Sequence, residues 1–152
     1  MKTIGIIFAM NEELIALKKY LSLQRVNEIY ELIFYESELN NKRIILVESG
    51  VGKVNAGRTT QILIDNYHPD TIYNIGVAGG IDESLAVGDV VISTSLVQHD
   101  FDITAFNHKK GYIPNVGDII PVDNSLVINT QRILEQKKLS YKLGMIASGD
   151  IF

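Results

Sequence analysis

The sequence predicts an α/β fold in which helices cover both faces of a mixed sheet. Apolar, β-branched runs that suit buried strands alternate along the whole chain with segments in which leucine and isoleucine recur at helical spacing. Two predicted strands, residues 29–38 and 43–48, are separated only by a short segment with the turn Asn40-Asn41, so we expect an antiparallel hairpin. This hairpin makes the predicted sheet mixed rather than all-parallel.

The composition indicates one ordinary globular domain. The chain has 152 residues, of which 46% are hydrophobic and 21% are charged. A net charge of −4 without a basic run argues against nucleic acid or an anionic membrane as a partner. The absence of cysteine excludes disulfides, and neither a signal peptide nor an apolar span long enough for a membrane is evident. We therefore expect a cytoplasmic protein.

The chain opens with a predicted strand, residues 3–9, that leads directly into a helix. Asn11 is predicted to cap this helix, and Glu12 and Glu13 fall in its first turn, where carboxylates interact favourably with the helix dipole. Stabilising the helix end is therefore one interpretation of the glutamates. The other is chemical, because α/β enzymes place reactive groups at the carboxyl ends of parallel strands.

A glycine loop, Ser49-Gly50-Val51-Gly52-Lys53, joins the hairpin to a helix predicted over residues 54–66. It does not match a P-loop, because Val47 stands where the first glycine is required and Val54 where Ser or Thr should follow the lysine. It does not match the dinucleotide fingerprint either, because Asn55 occupies the third glycine position. The sequence therefore assigns no phosphate-binding role to this loop.

The central stretch of the chain, residues 71–89, predicts a buried strand that ends in a glycine turn. Its apolar run over residues 72–77 suits a strand buried on both faces, and the run ends at Ala78-Gly79-Gly80. Paired glycines at a strand end allow a ligand to approach bare backbone. A tight turn without a ligand explains the same pattern equally well.

The second half of the chain predicts a strand over residues 90–98, a helix from about residue 124 to 138 and a strand over 142–147. The segment between the first two is polar and irregular, and it carries Phe106 and Pro114. Aromatic and rigid residues in a loop indicate either a contact surface or a loop packed on itself. The cluster His99-Asp100-Phe101-Asp102 lacks a convergent second set of ligands, so no metal site is predicted.

Six motifs are distributed over the chain: Ile4-Gly5-Ile6-Ile7-Phe8-Ala9-Met10-Asn11-Glu12-Glu13, Ser49-Gly50-Val51-Gly52-Lys53-Val54-Asn55-Ala56, Asn74-Ile75-Gly76-Val77-Ala78-Gly79-Gly80, Val87-Gly88-Asp89-Val90-Val91, His99-Asp100-Phe101-Asp102-Ile103-Thr104-Ala105-Phe106 and Ser148-Gly149-Asp150. In this order and at this spacing, they resemble those of bacterial 5′-methylthioadenosine/S-adenosylhomocysteine nucleosidases. The resemblance implies the nucleoside phosphorylase fold, a three-layer αβα sandwich around a mixed, twisted sheet, in a homodimer.

The resemblance also implies an activity that needs no metal or other cofactor. The family hydrolyses the N-glycosidic bond of a nucleoside substrate and releases adenine and a thioribose, through an oxocarbenium-like transition state. The glutamate that matches Glu13 holds and deprotonates the attacking water. An aspartate on a later strand protonates the adenine ring, and a later methionine and glutamate bind the ribose hydroxyls.

Further site residues follow by position in the family motifs. Met10 and Val51 match residues that line the pocket for the 5′ alkylthio group. Ala78 and Gly79 match the backbone beside the purine, and Phe152 matches the aromatic residue that stacks on adenine.

A second set of residues matches positions that the family lends to the neighbouring subunit. Ile103, Phe106 and Pro114 match residues of the partner's alkylthio pocket, which would give the irregular loop a function. Val77 stands where members of the family often have Ser, so we expect one hydroxyl near the attacking water to be lost.

The sequence ends at Phe152, before the segment that carries the family's Met-Glu and Ser-Asp pairs. We expect a site that has its base but not its acid to be badly impaired. A truncated product, a processed fragment and a subunit completed by another chain all remain open.

Two other functions are compatible with parts of the sequence. A phosphorylase needs cationic groups for phosphate, whereas this chain has Glu12 and Glu13 after the first strand and Asn74 rather than Arg before the central glycines. Because carboxylates repel phosphate, the hydrolase is favoured. A non-catalytic purine-binding or assembly subunit is the remaining alternative.

Overall fold

The computed structural model describes residues 1–151, and the chain divides into two compact units, Met1–Ala78 and Gly79–Phe152. The elements of the first unit are β1 (Lys2–Phe8), α1 (Asn11–Lys18), β2 (Gln24–Ile29), β3 (Leu32–Leu39), β4 (Lys42–Glu48), α2 (Lys53–Tyr67) and β5 (Thr71–Asn74). Those of the second unit are β6 (Val91–Gln98), a 3₁₀ turn (Thr104–Phe106), β7 (Ile120–Pro121), α3 (Asn124–Gln136) and β8 (Lys142–Ser148).

The first unit is built on a five-stranded mixed sheet in the order β2-β3-β4-β1-β5. Strand β1 runs parallel to both β4 and β5, whereas β2, β3 and β4 pair antiparallel. Phe8 lies opposite Glu48, and Ile7 lies opposite Asn74. The carboxyl ends of three parallel strands therefore meet at one edge of this sheet.

Helices cover both faces of the five-stranded sheet because apolar residues run consecutively along its central strands. On one face, Ile7, Ile45 and Val47 form a core with Leu63 of α2. Side chains on the other face form a second core with Leu14 of α1; they are Ile6, Phe8, Ile44 and Leu46. Strands buried on both faces are typical of α/β sheets.

The second unit contains a three-stranded sheet in the order β7-β6-β8, in which β6 is parallel to β8 and antiparallel to β7. Helix α3 packs on β6 and buries Val127. Asp123 caps α3 by accepting hydrogen bonds from the backbone N–H of Ser125 at 2.8 Å and from its hydroxyl at 2.6 Å. These hydroxyl and backbone bonds hold the pKa of Asp123 below its usual value.

The predicted α/β class, the mixed sheet and the hairpin are confirmed. Asn40 and Asn41 both adopt positive φ, of 51° and 60°, which is the geometry of a tight hairpin turn with the twist that strands favour. The prediction of one domain for the whole chain stays a prediction. In residues 1–151, no helix is both long and apolar enough to cross a membrane.

Several predicted boundaries are wrong. The strand predicted over residues 29–38 begins only at Leu32, because Tyr30 and Glu31 form a turn with positive φ, and the strand before that turn, β2, was not predicted. The central strand ends at Asn74, and Val77, predicted to be buried, has a side chain that is 77% exposed.

The predicted helix cap of α1 is also wrong. Helix α1 begins at Asn11 itself, so Met10 rather than Asn11 stands at the cap position.

Candidate functional site

Glu13 lies at the sheet edge where β1, β4 and β5 end. It is the third residue of α1, which begins directly after β1, and the side chain is half-buried. The neighbouring Leu14 is fully buried in the core, so the first turn of the helix is fixed against the sheet. The position of Glu13 is therefore set by the short connection between β1 and α1 and by the burial of Leu14.

Both oxygens of the Glu13 carboxylate accept backbone hydrogen bonds. Oε2 accepts the N–H of Ala9 at 2.8 Å and the N–H of Met10 at 3.1 Å. Oε1 accepts the N–H of Val77 at 2.9 Å, from a residue 64 positions further along the chain. The carboxylate thus bridges the end of β1 and the segment that follows β5.

This geometry bears on the two interpretations of the first-turn glutamates. The bond from Met10 N–H to Glu13 is compatible with the first interpretation, because it satisfies a backbone donor at the start of the helix. The bond from Val77 is not needed to begin a helix. Glu13 therefore stabilises the helix end and is also fixed at the sheet edge where β1, β4 and β5 end, whereas Glu12 is exposed.

The loops after β4 and β5 leave the sheet on either side of β1. The N–H of Ser49 donates to the carbonyl of Phe8 at 2.9 Å, and the N–H of Ile75 donates to the carbonyl of Ile7 at 3.0 Å. These bonds continue the parallel pairing beyond the strands. They bring residues 49–51 and 75–78 to the edge that carries Glu13.

Four further predicted site residues belong to this edge of the first unit. Met10 is half-buried, Val51 is 59% exposed, Val77 is 77% exposed, and Ala78 follows directly after it. Val77 contributes its backbone N–H to Glu13, which is a role that any residue other than proline can fill at this position. The loss of a serine hydroxyl therefore leaves this particular bond intact.

A cavity of about 270 Å³ opens beside the same edge. It lies between the first turn of α1, the beginning of β3 and the start of the glycine loop, and its lining includes Asn11, Leu14, Tyr35, Glu48 and Gly50. Glu13 does not line it, although residues adjacent to Met10 and Val51 do. Two residues that line the cavity are thus sequence neighbours of the predicted alkylthio residues Met10 and Val51, and the Glu13 carboxylate lies outside the cavity.

The predicted site residues of the second unit are Gly79, Ile103, Phe106 and Pro114. All but Ile103 are exposed, and the ring of Phe106 is 75% exposed at the end of the 3₁₀ turn. Asp102 accepts the N–H and the hydroxyl of Thr104, and these bonds hold its pKa below the usual value. The turn is thus well ordered locally, while its aromatic side chain makes no buried contact within the unit.

The polar residues near the end of β6 hold the loop that follows β8. The N–H of His99 donates to the carbonyl of Ser148 at 3.0 Å, and Asp100 Oδ2 accepts the N–H of Asp150 at 2.8 Å. A Cβ placed on Gly149 would lie 2.3 Å from Nε2 of His99.

Within residues 1–151, no group of three His, Cys, Asp or Glu residues is arranged for a metal ion. Phe152 lies outside the described residues.

Sequence reasoning missed the groups that hold Glu13. They are the backbone N–H groups of Ala9, Met10 and Val77, which leave no signature in side-chain identity. It also assigned no role to Gly76, where a Cβ would lie 2.7 Å from Glu13 Oε1. A glycine interrupting the apolar run between Ile75 and Val77 was the available signal.

Comparisons of the sequence with a family model and with curated proteins point to the same family. A family model described as the phosphorylase superfamily matches residues 3–152. The 5′-methylthioadenosine/S-adenosylhomocysteine nucleosidase of Staphylococcus carnosus is 44% identical over 149 residues, which are 98% of this chain and 65% of that protein. The corresponding Staphylococcus epidermidis nucleosidase is 41% identical with the same coverage. The chain thus spans 65% of the length of these curated relatives.

Solved structures agree with this result. A Helicobacter pylori MTAN mutant with 5′-methylthioadenosine in the active site matches with a TM-score of 0.93 and 33% identity, covering 100% of this chain and 66% of that one. The native futalosine hydrolase of Helicobacter pylori matches with a TM-score of 0.93 and 31% identity, covering 100% and 68% of the two chains.

Proposed function

The chain belongs to the phosphorylase superfamily, and we propose that it supplies the water-activating part of a nucleosidase site. The reaction is hydrolysis of the N-glycosidic bond of 5′-methylthioadenosine and S-adenosylhomocysteine. The observation that carries the proposal is the position of Glu13. Its carboxylate is fixed by backbone groups from two separate segments at the edge where parallel strands end.

The chemistry assigned to Glu13 is general-base catalysis. A water oxygen bonds to the anomeric carbon of the ribose as one of its protons passes to the Glu13 carboxylate. The bond from that carbon to the purine nitrogen breaks, its electron pair goes to the adenine, and the adenine takes up a proton. The products are adenine and a thioribose, without a cofactor. A general base of this kind contributes about 10²–10⁴-fold to a rate.

The hydrogen bonds of Glu13 support this role. A carboxylate offers about four acceptor sites, and the described residues occupy three of them with N–H donors. One acceptor site is therefore left for a water O–H. Because the donors are backbone groups in the short segments that follow β1 and β5, the carboxylate is oriented before the substrate binds, which is the condition for efficient positioning.

The other predicted residues receive matching roles in this proposal. Met10 and Val51 line the 5′ alkylthio subsite, and the backbone at Ala78 and Gly79 lies beside the purine.

We propose a homodimer in which each subunit completes the alkylthio subsite of the other. Ile103, Phe106 and Pro114 are the residues lent to the partner. The exposure of Phe106, at 75%, supports this, because a large exposed aromatic side chain is typical of an interface anchor.

The reaction would take place in the cytoplasm and belong to methionine salvage, since the thioribose product retains the methylthio group.

A phosphorylase is less well supported by the same geometry. Phosphate requires cationic or N–H donors, whereas the N–H groups near the strand ends already donate to Glu13. A carboxylate at this position would repel the phosphate dianion and does not repel water. The curated relatives are named as nucleosidases, which also supports hydrolysis.

The experiment that tests this function is an adenine-release assay with 5′-methylthioadenosine and purified protein whose mass has been verified. The assay is run in phosphate-free buffer and again with phosphate. We expect adenine and methylthioribose in equal amounts in both buffers. Methylthioribose phosphate formed only with phosphate would contradict hydrolysis. Substrate binding without any adenine release would instead identify a non-catalytic purine-binding subunit.

A further inference from the structure

We infer that Gly76 is a positioning residue of this site, because its missing side chain leaves the space that Oε1 of Glu13 occupies, and that Oε1 is the oxygen that takes the proton from water. The inference rests on the proposed function. It adds the residue that fixes the base and identifies which of the two carboxylate oxygens reacts.

The whole carboxylate of Glu13 lies over Gly76. A Cβ on Gly76 would be 2.7 Å from Oε1, 3.3 Å from Cδ and 3.5 Å from Oε2. The first distance is below 3.0 Å, a contact that Cβ atoms essentially never make in real structures. The adjacent N–H, that of Val77, donates to the same Oε1 at 2.9 Å. Oε1 is therefore in contact with the backbone of residues 76 and 77, and only glycine permits that approach.

Backbone conformation does not explain the glycine. The glycines with positive φ are Gly50, Gly52, Gly88, Gly111 and Gly117, and Gly76 is not one of them. Alanine at position 76 is therefore compatible with the backbone, and the three atoms nearest to its methyl group would all belong to the Glu13 carboxylate. This separates Gly76 from glycines that are required for a turn.

The hydrogen bonds distinguish the two oxygens. Oε2 accepts two N–H groups, from Ala9 and Met10, and so uses both of its acceptor sites. Oε1 accepts one, from Val77, and among the described residues no second donor reaches it. The remaining site is therefore on Oε1, so the position of this oxygen decides where the water is held.

A methyl group at position 76 should displace the carboxylate rather than the fold. The side chain of Glu13 is flexible, so the added methyl group displaces the carboxylate more easily than the backbone. The hydrogen bond from the Val77 N–H to Oε1 is then lost or lengthened. A displacement of about 1 Å of a group that positions a reactant costs about 10²-fold in rate. Substrate affinity should change little, because the 5′ and purine contacts are assigned to other residues.

The test compares Gly76→Ala with Gly57→Ala in the adenine-release assay with 5′-methylthioadenosine. Gly57 is an exposed glycine of α2 whose added Cβ would meet no atom within 4 Å, so it is the matched control. We expect Gly76→Ala to lower kcat by about 10²-fold with KM within about threefold of the original, since only the base is displaced. Gly57→Ala should leave both constants unchanged.

A double variant shows whether the effect passes through the carboxylate. Once Glu13→Gln has removed the base, adding Gly76→Ala should lower the remaining rate no further. Thermal unfolding gives an independent readout: Gly76→Ala should lower Tm by a few degrees in the original chain but not in a Glu13→Ala background.

Each result decides the inference. Unchanged kcat in Gly76→Ala, or a Tm loss of equal size in both backgrounds, would overturn it and leave the proposed function standing. If the original chain releases no adenine, the proposed function fails, and the catalytic part of this inference fails with it. A Tm loss confined to the chain with Glu13, together with the kcat loss, supports the inference.

Discussion

Oε1 of Glu13 accepts a hydrogen bond from the backbone N–H of Val77 at 2.9 Å, which links the first turn of α1 to the segment after β5. The two residues are 64 positions apart in sequence. Strands β4 and β5 both pair with β1, and this topology is what brings the two segments together. The carboxylate is thus held by the fold rather than by its own helix alone, and the predictions below follow from this kind of contact.

We predict that Phe106→Ala raises KM for 5′-methylthioadenosine about tenfold, which is the effect of removing an interface anchor worth more than 1 kcal/mol. Because Phe106 is 75% exposed in the single chain, its removal should not change Tm at concentrations where the protein is monomeric. Tyr20→Ala, which removes a ring that is 83% exposed in the first unit, is the control and should not change KM. The effect should be confined to the dimer, so an equal rise in KM at concentrations where the protein is monomeric would refute the shared subsite.

We predict that Gly149→Ala destabilises the protein through His99. The added Cβ would lie 2.3 Å from Nε2 of the imidazole and 2.8 Å from Cε1, so the ring must move. We expect Tm to fall by several degrees in Gly149→Ala and by much less when His99→Ala is present as well. Gly144→Ala is the control on β8, since its nearest atom would be at 3.6 Å. Equal losses with and without the imidazole would contradict the contact.

We predict a small, acid-sensitive contribution to stability from the pair Glu36 and Arg43. The guanidinium donates two bonds of 2.8 Å to the carboxylate, and these bonds hold the pKa of Glu36 below its ordinary value of 4.5. A lowered pKa in the folded state stabilises it above pH 4.5, and the benefit is lost as the pH falls through the lowered pKa.

The measurement for this pair is urea unfolding of the original chain and Glu36→Gln at pH 7 and pH 3. Because about a third of each side chain is exposed, we expect a difference in unfolding free energy below about 1 kcal/mol at pH 7. The difference should shrink at pH 3. Exposed Glu83→Gln serves as the control. A difference that grows on acidification would contradict the assigned sign.

The sequence predicted the α/β class because apolar periodicity is a local property. The consecutive apolar residues of β4, Ile44 to Val47, fit a short strand covered on both faces, and α1 and α2 cover them. The boundary between β2 and β3 was missed because Tyr30 and Glu31 adopt positive φ without glycine or asparagine. Their side chains give no turn signal.

The site was predictable only in part. Glu13 was identified from its place after the first strand and from the family motifs. The same residue also makes the ordinary helix-end bond to Met10 N–H, so its local pattern could not separate the two roles. What separates them is the long-range bond from Val77 and the space at Gly76, and both depend on the strand order of the folded sheet.

The most direct test of the account is the adenine-release rate of Glu13→Gln compared with Glu12→Gln. The two glutamates are adjacent in the first turn of α1, but Glu12 is exposed and Glu13 is held by backbone groups. We predict that Glu13→Gln abolishes turnover of 5′-methylthioadenosine, a loss of at least about 10²-fold, while binding of the substrate is kept. Glu12→Gln should turn over normally. Normal turnover by Glu13→Gln would contradict the account and reduce Glu13 to a helix-end residue.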